Sequence, residues 1–217
     1  ETPPADSAFS VSTDVNRSSA KGANACHASS TPGSSAHGQE ISAREAWKLF
    51  GIMAEFFSAT ERLVGIQPAV SVFGSARVKP GTPYYQLAEE TARLLSDAGF
   101  TVISGGGPGL MQAANEGARA ATGTSPAGNV GIRVELPFEQ EVNPFVEQAF
   151  EHGTFFTRLH HFVLVSDAFV VLPGGIGTVL ESMMVWQLLQ VRHLHDVPLV
   201  FVGKMWTGLV DWARGAM

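Results

Sequence analysis

Two glycine-rich segments stand where a buried strand gives way to a helix, and each of them could hold an anion. The first reads SGGGPGLM over residues 104–111, and the second reads PGGIGT over residues 173–178. Glycine lets a backbone approach a ligand closely, and the helix that follows offers free N–H groups and the positive end of its dipole. Thr178 adds a hydroxyl at the head of the second helix. Together the segments predict a phosphate or nucleotide site, and two tight turns without a ligand are the alternative.

A carboxylate and a guanidinium are spaced so that they could act on a ligand in such a site. Glu181 follows Thr178 by three residues, so both side chains lie on one face near the start of a helix. Arg158 precedes Glu181 by 23 residues (181 − 158) and falls on the previous helix. A capping role for Glu181 and a surface ion pair for Arg158 are the structural alternatives. An arginine that faces a glycine-rich cradle is also what a nucleotide monophosphate needs.

Common nucleotide and cofactor motifs do not fit these segments. Neither has the Gly-Lys-Ser/Thr of a Walker A loop, and leucine (Leu110 or Leu180) occupies the third glycine position of the dinucleotide fingerprint. A pyridoxal phosphate enzyme needs a Schiff-base lysine, but the lysines lie in the N-terminal segment, on the first predicted helix or in loops next to strands. The histidines lack metal-ligand spacing, and the adjacent His160 and His161 are interpreted as ordinary helix positions. We therefore predict neither a metal nor an organic cofactor.

The elements that must position these groups alternate along the chain from residue 67 onward. Runs of Val, Ile, Leu and Phe alternate with segments of helical periodicity, which is typical of a parallel sheet with right-handed crossovers. We predict an α/β, Rossmann-like fold, an open parallel sheet with helices on both faces and the ligand beyond the carboxyl ends of the strands. The predicted strands cover 69–76, 100–107, 129–136, 168–175 and 198–203, and the predicted helices cover 83–99, 109–121, 155–167, 177–191 and 206–216.

The first part of the chain differs in composition from the rest. Ser, Ala, Gly and Pro supply 22 of the first 38 positions, and such a segment buries too little apolar surface to offset its ordering entropy. We predict a disordered tail over residues 1–38 and a single α/β nucleotide-binding domain over residues 39–217. The domain begins with a helix over 42–65, which Ser42 and Glu45 cap as a capping box. The apolar face of that helix packs on the domain or on a partner.

Composition excludes several classes of protein. The 217 residues carry a formal net charge of −6 without a Lys/Arg cluster, which argues against a nucleic-acid surface. The single cysteine permits neither a disulfide framework nor a thiolate metal site. No apolar run reaches the length of about 18 residues that a membrane span needs, and the first residues do not resemble a signal peptide. We therefore predict a cytoplasmic protein that binds a small molecule, with no nucleic acid or membrane as a partner.

Taken together, the motifs resemble those of the Lonely Guy (LOG) family. Its members are cytokinin riboside 5′-monophosphate phosphoribohydrolases, long labelled possible lysine decarboxylases. The resemblance rests on SGGGPGLMQAANEGA and PGGIGTVLE, with VFGSARVKPGTPYYQLAEETARLLSDAGF and VGIRVELPFEQEVNPFV in support, and it covers roughly residues 68–215. The sequence departs from the family pattern at Leu159, where a lysine is usual, and at Val179 and Leu180, where many members place a second carboxylate.

The resemblance implies a hydrolase of cytokinin biosynthesis that cleaves the N-glycosidic bond of AMP or N6-substituted AMP, giving free base and ribose 5-phosphate. It implies Arg158 and Glu181 as the catalytic pair, and a homodimer that uses the apolar helix over 178–194. A non-catalytic nucleotide-binding or molybdenum-cofactor carrier protein of the same fold is the alternative. The implied substrate- and phosphate-binding residues are Gly74, Ser75, Gly105, Gly106, Gly107, Gly109, Leu110, Met111, Pro173, Gly174, Gly175, Gly177 and Thr178.

Overall fold

A computed structural model describes residues 35–63, 65–122, 128–136 and 141–216 of the chain. The chain divides into two units, residues 1–41 and residues 42–217. Most of the predicted tail lies outside the described residues. In chain order the helices and strands are α1 Ser35–Leu63, β1 Ala69–Phe73, α2 Pro83–Asp97, β2 Thr101–Ser104, α3 Leu110–Ala120, β3 Asn129–Val134, β4 Gln148–His152, α4 Phe155–Val165, β5 Ala168–Val171, α5 Ile176–Gln190, β6 Leu199–Phe201 and α6 Thr207–Ala216.

The strands of the described ranges form one sheet in the order β4-β3-β2-β1-β5-β6. Every neighbouring pair is parallel. The chain runs outward from β1 to β4 and then returns to place β5 on the other side of β1. The carboxyl ends of β1 and β5 therefore flank the switch point, which is where ligands bind in open sheets of this kind.

Alternate residues of β1 point to two hydrophobic cores, one on each face of the sheet. Val70 and Val72 pack with apolar side chains of α2 and α3. Ala69 and Phe73 pack with side chains of α1, α4 and α5. Helices thus cover both faces, and the predicted Rossmann-like architecture is confirmed.

The predicted start and N-cap of the first helix are wrong, and the predicted set of strands lacks the edge strand β4. Helix α1 begins at Ser35, so Ser42 lies inside the helix and cannot be its N-cap. Two residues of the predicted apolar face, Trp47 and Phe57, are 76% and 72% exposed, so this face does not pack on the described domain, and its packing on a partner stays a prediction. Strand β4 was not predicted, because only two of its five residues are buried, as on an edge strand.

Candidate active site

A cavity of about 280 Å³ opens at the carboxyl ends of the strands, beside the switch point between β1 and β5. Its walls come from the segments after β1, β2, β3 and β5 and from the first turns of α3, α4 and α5. The lining residues are Gly74, Ser75, Ala76, Arg77, Gly105, Met111, Arg133, Val134, Leu136, Phe155, Arg158, Gly175, Ile176, Gly177, Thr178 and Glu181.

The two side chains predicted to be catalytic contact each other in this cavity. Arg158 Nη1 donates to Glu181 Oε1 over 2.8 Å, and the two residues are only 8% and 9% exposed. Arg158 Nε also donates to the carbonyl oxygen of Ile132 over 2.9 Å. The guanidinium carbon lies 5.0 Å from the centre of the Phe162 ring. The guanidinium is therefore held by a carboxylate, a carbonyl and an aromatic face at once.

Burial sets the protonation behaviour of Glu181. Burial raises the pKa of the Glu181 carboxyl, and the charge and hydrogen bond of Arg158 oppose this shift without cancelling it. An ionised carboxylate in such a site is poorly solvated, so a positive charge that develops beside it is stabilised more strongly than in water. A carboxyl group with a perturbed pKa inside a cavity is typical of a functional site.

The first turn of α5 presents open backbone to the cavity. Gly175 is its N-cap, and an added Cβ at Gly175 or Gly177 meets no heavy atom within 4 Å. Ile176, between them, is 86% exposed. The first N–H groups of a helix have no partner inside it, and the residues of this first turn line the cavity together with the buried Thr178. This turn can therefore bind an anion such as a phosphate.

In the glycine-rich segment 104–111, protein atoms fill the space beside Gly105 and Gly109 that the sequence suggested for a ligand. A Cβ added at Gly105 would lie 2.6 Å from Met111 Sδ and 2.7 Å from Arg158 Nη2. At Gly109 it would overlap the carbonyl oxygen of Ser75. The N–H of Leu110 already donates to that same oxygen over 2.8 Å. The loop after β1 thus occupies the start of α3 that the sequence suggested for a ligand.

Six of the predicted binding residues lie outside the lining of the cavity. They are Gly106, Gly107, Gly109, Leu110, Pro173 and Gly174. Buried polar groups hold the loop that contains Gly106 and Gly107. Asn143 Nδ2 donates to Gly107 O over 3.0 Å, and the N–H of Gly106 donates to Ser104 Oγ over 2.9 Å. These contacts give a packing reason for the glycine-rich sequence.

Sequence reasoning missed seven residues of the cavity lining. Several come from the ends of elements that carry no glycine motif. Arg133 and Val134 end β3, and Phe155 begins α4. The available signal was the rule that carboxyl ends of parallel strands meet at one edge of the sheet. The missed residues are Ala76, Arg77, Arg133, Val134, Leu136, Phe155 and Ile176.

Two histidines meet behind this site, on the side where α4 packs on β4. His152 Nε2 and His161 Nδ1 lie 2.8 Å apart, and both residues are 0% exposed. Burial lowers the pKa of each of these two residues, which we call the buried histidine pair. Among the described residues, no group of three or more His, Cys, Asp or Glu side chains is arranged to hold a metal ion. No helix of those residues is long and apolar enough to cross a membrane.

Comparison with known proteins agrees with the motifs and the fold. Residues 111–217 match the family described as "Possible lysine decarboxylase". A Mycobacterium tuberculosis (strain H37Rv) protein named cytokinin riboside 5′-monophosphate phosphoribohydrolase is 30% identical over 136 residues, which cover 61% of this chain and 70% of that protein. The chain belongs to the LOG family. Arg158 and Glu181 both lie in the part of the chain that matches the family.

Solved structures with a similar fold also resemble this LOG-family chain. The molybdenum cofactor binding protein from Rippkaea orientalis is 25% identical, with a TM-score of 0.50, over 68% of this chain and 85% of that one. The Moco carrier protein from Chlamydomonas reinhardtii is 23% identical, with a TM-score of 0.47, over the same shares of the two chains.

Proposed function

We propose that this LOG-family protein hydrolyses the N-glycosidic bond of a nucleoside 5′-monophosphate, with AMP and N6-substituted AMP as its substrate class. The observation that carries the proposal is the buried Arg158–Glu181 pair beside the open first turn of α5. The relative that is 30% identical carries this activity in its name. Release of cytokinin bases from their nucleotides is the biosynthetic role that the proposal includes.

In this proposal the nucleotide binds along α5, beginning with its phosphate. The 5′-phosphate accepts hydrogen bonds from the N–H groups of the first turn and from the Thr178 hydroxyl. Glu181 lies three residues further along the helix, a rise of about 4.5 Å. A ribose attached to a phosphate at the first turn therefore lies next to the Glu181 carboxylate.

The reaction breaks the bond between C1′ of the ribose and the base nitrogen. The bonding electrons leave with the base, and positive charge builds on the ribose as in glycoside hydrolysis. The Glu181 carboxylate stabilises that charge, while Arg158 orients the carboxylate and contacts the nucleotide as the base departs. Water adds to C1′ and loses a proton, and the base gains one, so that the products are free base and ribose 5-phosphate.

A second candidate function is binding of a nucleotide-like ligand without turnover. The likeness to the Rippkaea orientalis molybdenum cofactor binding protein supports it, with 25% identity at a TM-score of 0.50. Leu159 in place of the usual lysine also supports it, because one positive group near the ligand is missing. The buried carboxylate favours hydrolysis, because a carrier of anionic ligands has no need of a negative charge in its cavity.

Incubation with AMP and with an N6-substituted AMP tests these two functions against each other. Chromatography of the mixture measures free base, and isothermal titration calorimetry measures nucleotide binding. Free base that forms with the parent chain and not with Glu181→Gln supports hydrolysis. Nucleotide binding without any free base contradicts hydrolysis and supports the carrier function.

We also propose that the protein is a cytoplasmic homodimer. The support lies on α5, where Ile176 and Leu180 are 86% and 47% exposed, and just after it at Val191, which is 58% exposed. Light scattering at micromolar concentration tests the assembly. A mass near the 23.0 kDa of one chain, with full hydrolase activity, would contradict it.

A further inference from the structure

The Glu55 carboxylate joins helix α1 to the start of α4, the helix that carries Arg158. Glu55 Oε2 accepts the backbone N–H of Gly153 over 2.8 Å. Glu55 Oε1 accepts the hydroxyl of Thr157. Between these two points lies the N-cap of α4, where Thr154 Oγ1 accepts the N–H of Thr157 over 3.1 Å. One side chain from α1 therefore bonds both ends of the turn that leads into α4.

The same turn sets the position of Arg158. Thr157 adjoins Arg158, whose own N–H donates to the carbonyl of Thr154 over 3.3 Å. Phe155, in this turn, lines the cavity. The Arg158 guanidinium has to reach a carboxylate on α5 and a carbonyl on β3 at the same time. A small displacement of the turn therefore breaks at least one of these two contacts.

Helix α1 is anchored well enough to hold this turn. Thr60 Oγ1 lies 3.3 Å from His161 Nε2, and the rings of Phe56 and His160 are 4.6 Å apart. The Arg62 guanidinium carbon lies 4.5 Å from the centre of the Phe150 ring. These contacts cover the two helical turns that follow Glu55. The carboxylate therefore projects from a packed part of α1, in contrast to the exposed part that contains Trp47.

We propose that Glu55 is a positioning residue for the Arg158–Glu181 pair, and that α1 thereby sets the geometry of the active site without touching the substrate. The proposal rests on the hydrolase function proposed above. Its physical basis is that a misplacement of about 1 Å at a reacting group costs on the order of 10²-fold in rate.

The test compares Glu55→Met with Glu61→Met. Both changes remove a carboxylate from α1 and keep a good helix former, but Glu61 is exposed and lies six residues beyond Glu55. We expect Glu55→Met to lower kcat for AMP by roughly 10- to 100-fold with KM little changed, and Glu61→Met to match the parent. Glu55→Gln should recover much of the loss, because its amide can accept from Gly153 and donate to the Thr157 hydroxyl.

The pH profile separates positioning from a loss of stability. Displacement of Arg158 removes the influence that opposes the raised pKa of Glu181, so the acid limb of kcat should move to higher pH in Glu55→Met. A ¹³C NMR titration of the Glu181 carboxyl follows the same shift without turnover. The titration therefore tests the positioning even if the parent chain releases no base. An absence of base release would contradict only the proposed hydrolase function.

A parental kcat together with a parental Glu181 titration in Glu55→Met would overturn the proposal. If Glu55→Met does not fold, Thr157→Val removes the hydroxyl that donates to Glu55, and Thr157→Ser retains it. The proposal then requires a lower kcat for Thr157→Val than for Thr157→Ser. Equal values in these two folded variants would overturn it as well.

Discussion

Replacement of Glu181 by glutamine tests the centre of the proposed mechanism. Glu181→Gln removes the negative charge and keeps the shape of the side chain. The amide oxygen can still accept the hydrogen bond that Arg158 Nη1 now donates over 2.8 Å. We therefore expect the fold and AMP binding to persist while hydrolysis slows.

The size of the effect follows from the burial of Glu181. A carboxylate in contact with the ribose lies about 4 Å from the developing positive charge, which gives roughly 4 kcal/mol at an effective dielectric constant of about 20. Each 1.36 kcal/mol changes a rate about tenfold, so a full unit charge corresponds to a factor of about 10³. Because the charge is incomplete in the transition state, we expect kcat to fall by about 10²- to 10³-fold.

The assay quantifies free adenine by chromatography at saturating AMP, and calorimetry gives the Kd of AMP for each variant. Glu61→Gln is the matched control, since Glu61 is an exposed carboxylate on α1. Hydrolysis by Glu181→Gln at the parental rate would refute the assignment of Glu181. A loss of AMP binding with an unchanged kcat would move Glu181 from the chemical step to ligand recognition.

Further predictions concern charge, backbone and pH. Arg158→Ala should lower turnover far more than Gly51→Ala, which has no atoms within 4 Å of the new Cβ; equal turnover would contradict this. Gly109→Ala should cost about 2–4 kcal/mol of unfolding free energy, because Gly109 has a φ of 72° and contacts backbone. Urea titration measures this free energy, and by the same measurement Gly175→Ala should stay within about 0.5 kcal/mol of the parent. A larger loss of stability for Gly175→Ala than for Gly109→Ala would refute this account of the two loops. Because burial raises the pKa of Glu181, kcat/KM should fall on acidification with a midpoint above the ordinary value of about 4.3; a midpoint at that value would contradict it. The lowered pKa values of the buried histidine pair mean that its contribution to stability is present above about pH 6.5 and lost as the pH falls through the folded values. Thermal midpoints that stay constant from about pH 7.5 to pH 5 would exclude this contribution.

The fold class was predictable because its strands are buried on both faces. All five residues of β1 and all four of β2 are buried, so their apolar runs stand out in the sequence. Edge strand β4 escaped prediction because its exposed residues interrupt any such run. The start of α1 was also missed, because Ser42 offers a capping signal that the longer helix does not use.

The candidate site was predictable where a motif and its neighbours lie close together in the chain. Arg158 and Glu181 stand on successive helices, α4 and α5, and their contact follows from that order. Arg133 and Phe155 reach the cavity only because their elements end and begin at the same edge of the sheet. Glu55 reaches α4 from far along the chain. No local pattern marks such a contact, since it depends on how whole elements pack.

The crossing of two loops at Gly109 makes one wall of the cavity rigid before any ligand arrives. There the Ser75 carbonyl accepts the N–H of Leu110 at the start of α3, so the segments after β1 and β2 form a single body. The entropy of ordering these loops is lost when the chain folds and is not lost again on binding. Preorganisation of this kind raises affinity without adding a contact. A ligand should therefore bind against this wall without rearranging it, and its association rate should not depend on the closing of a lid there.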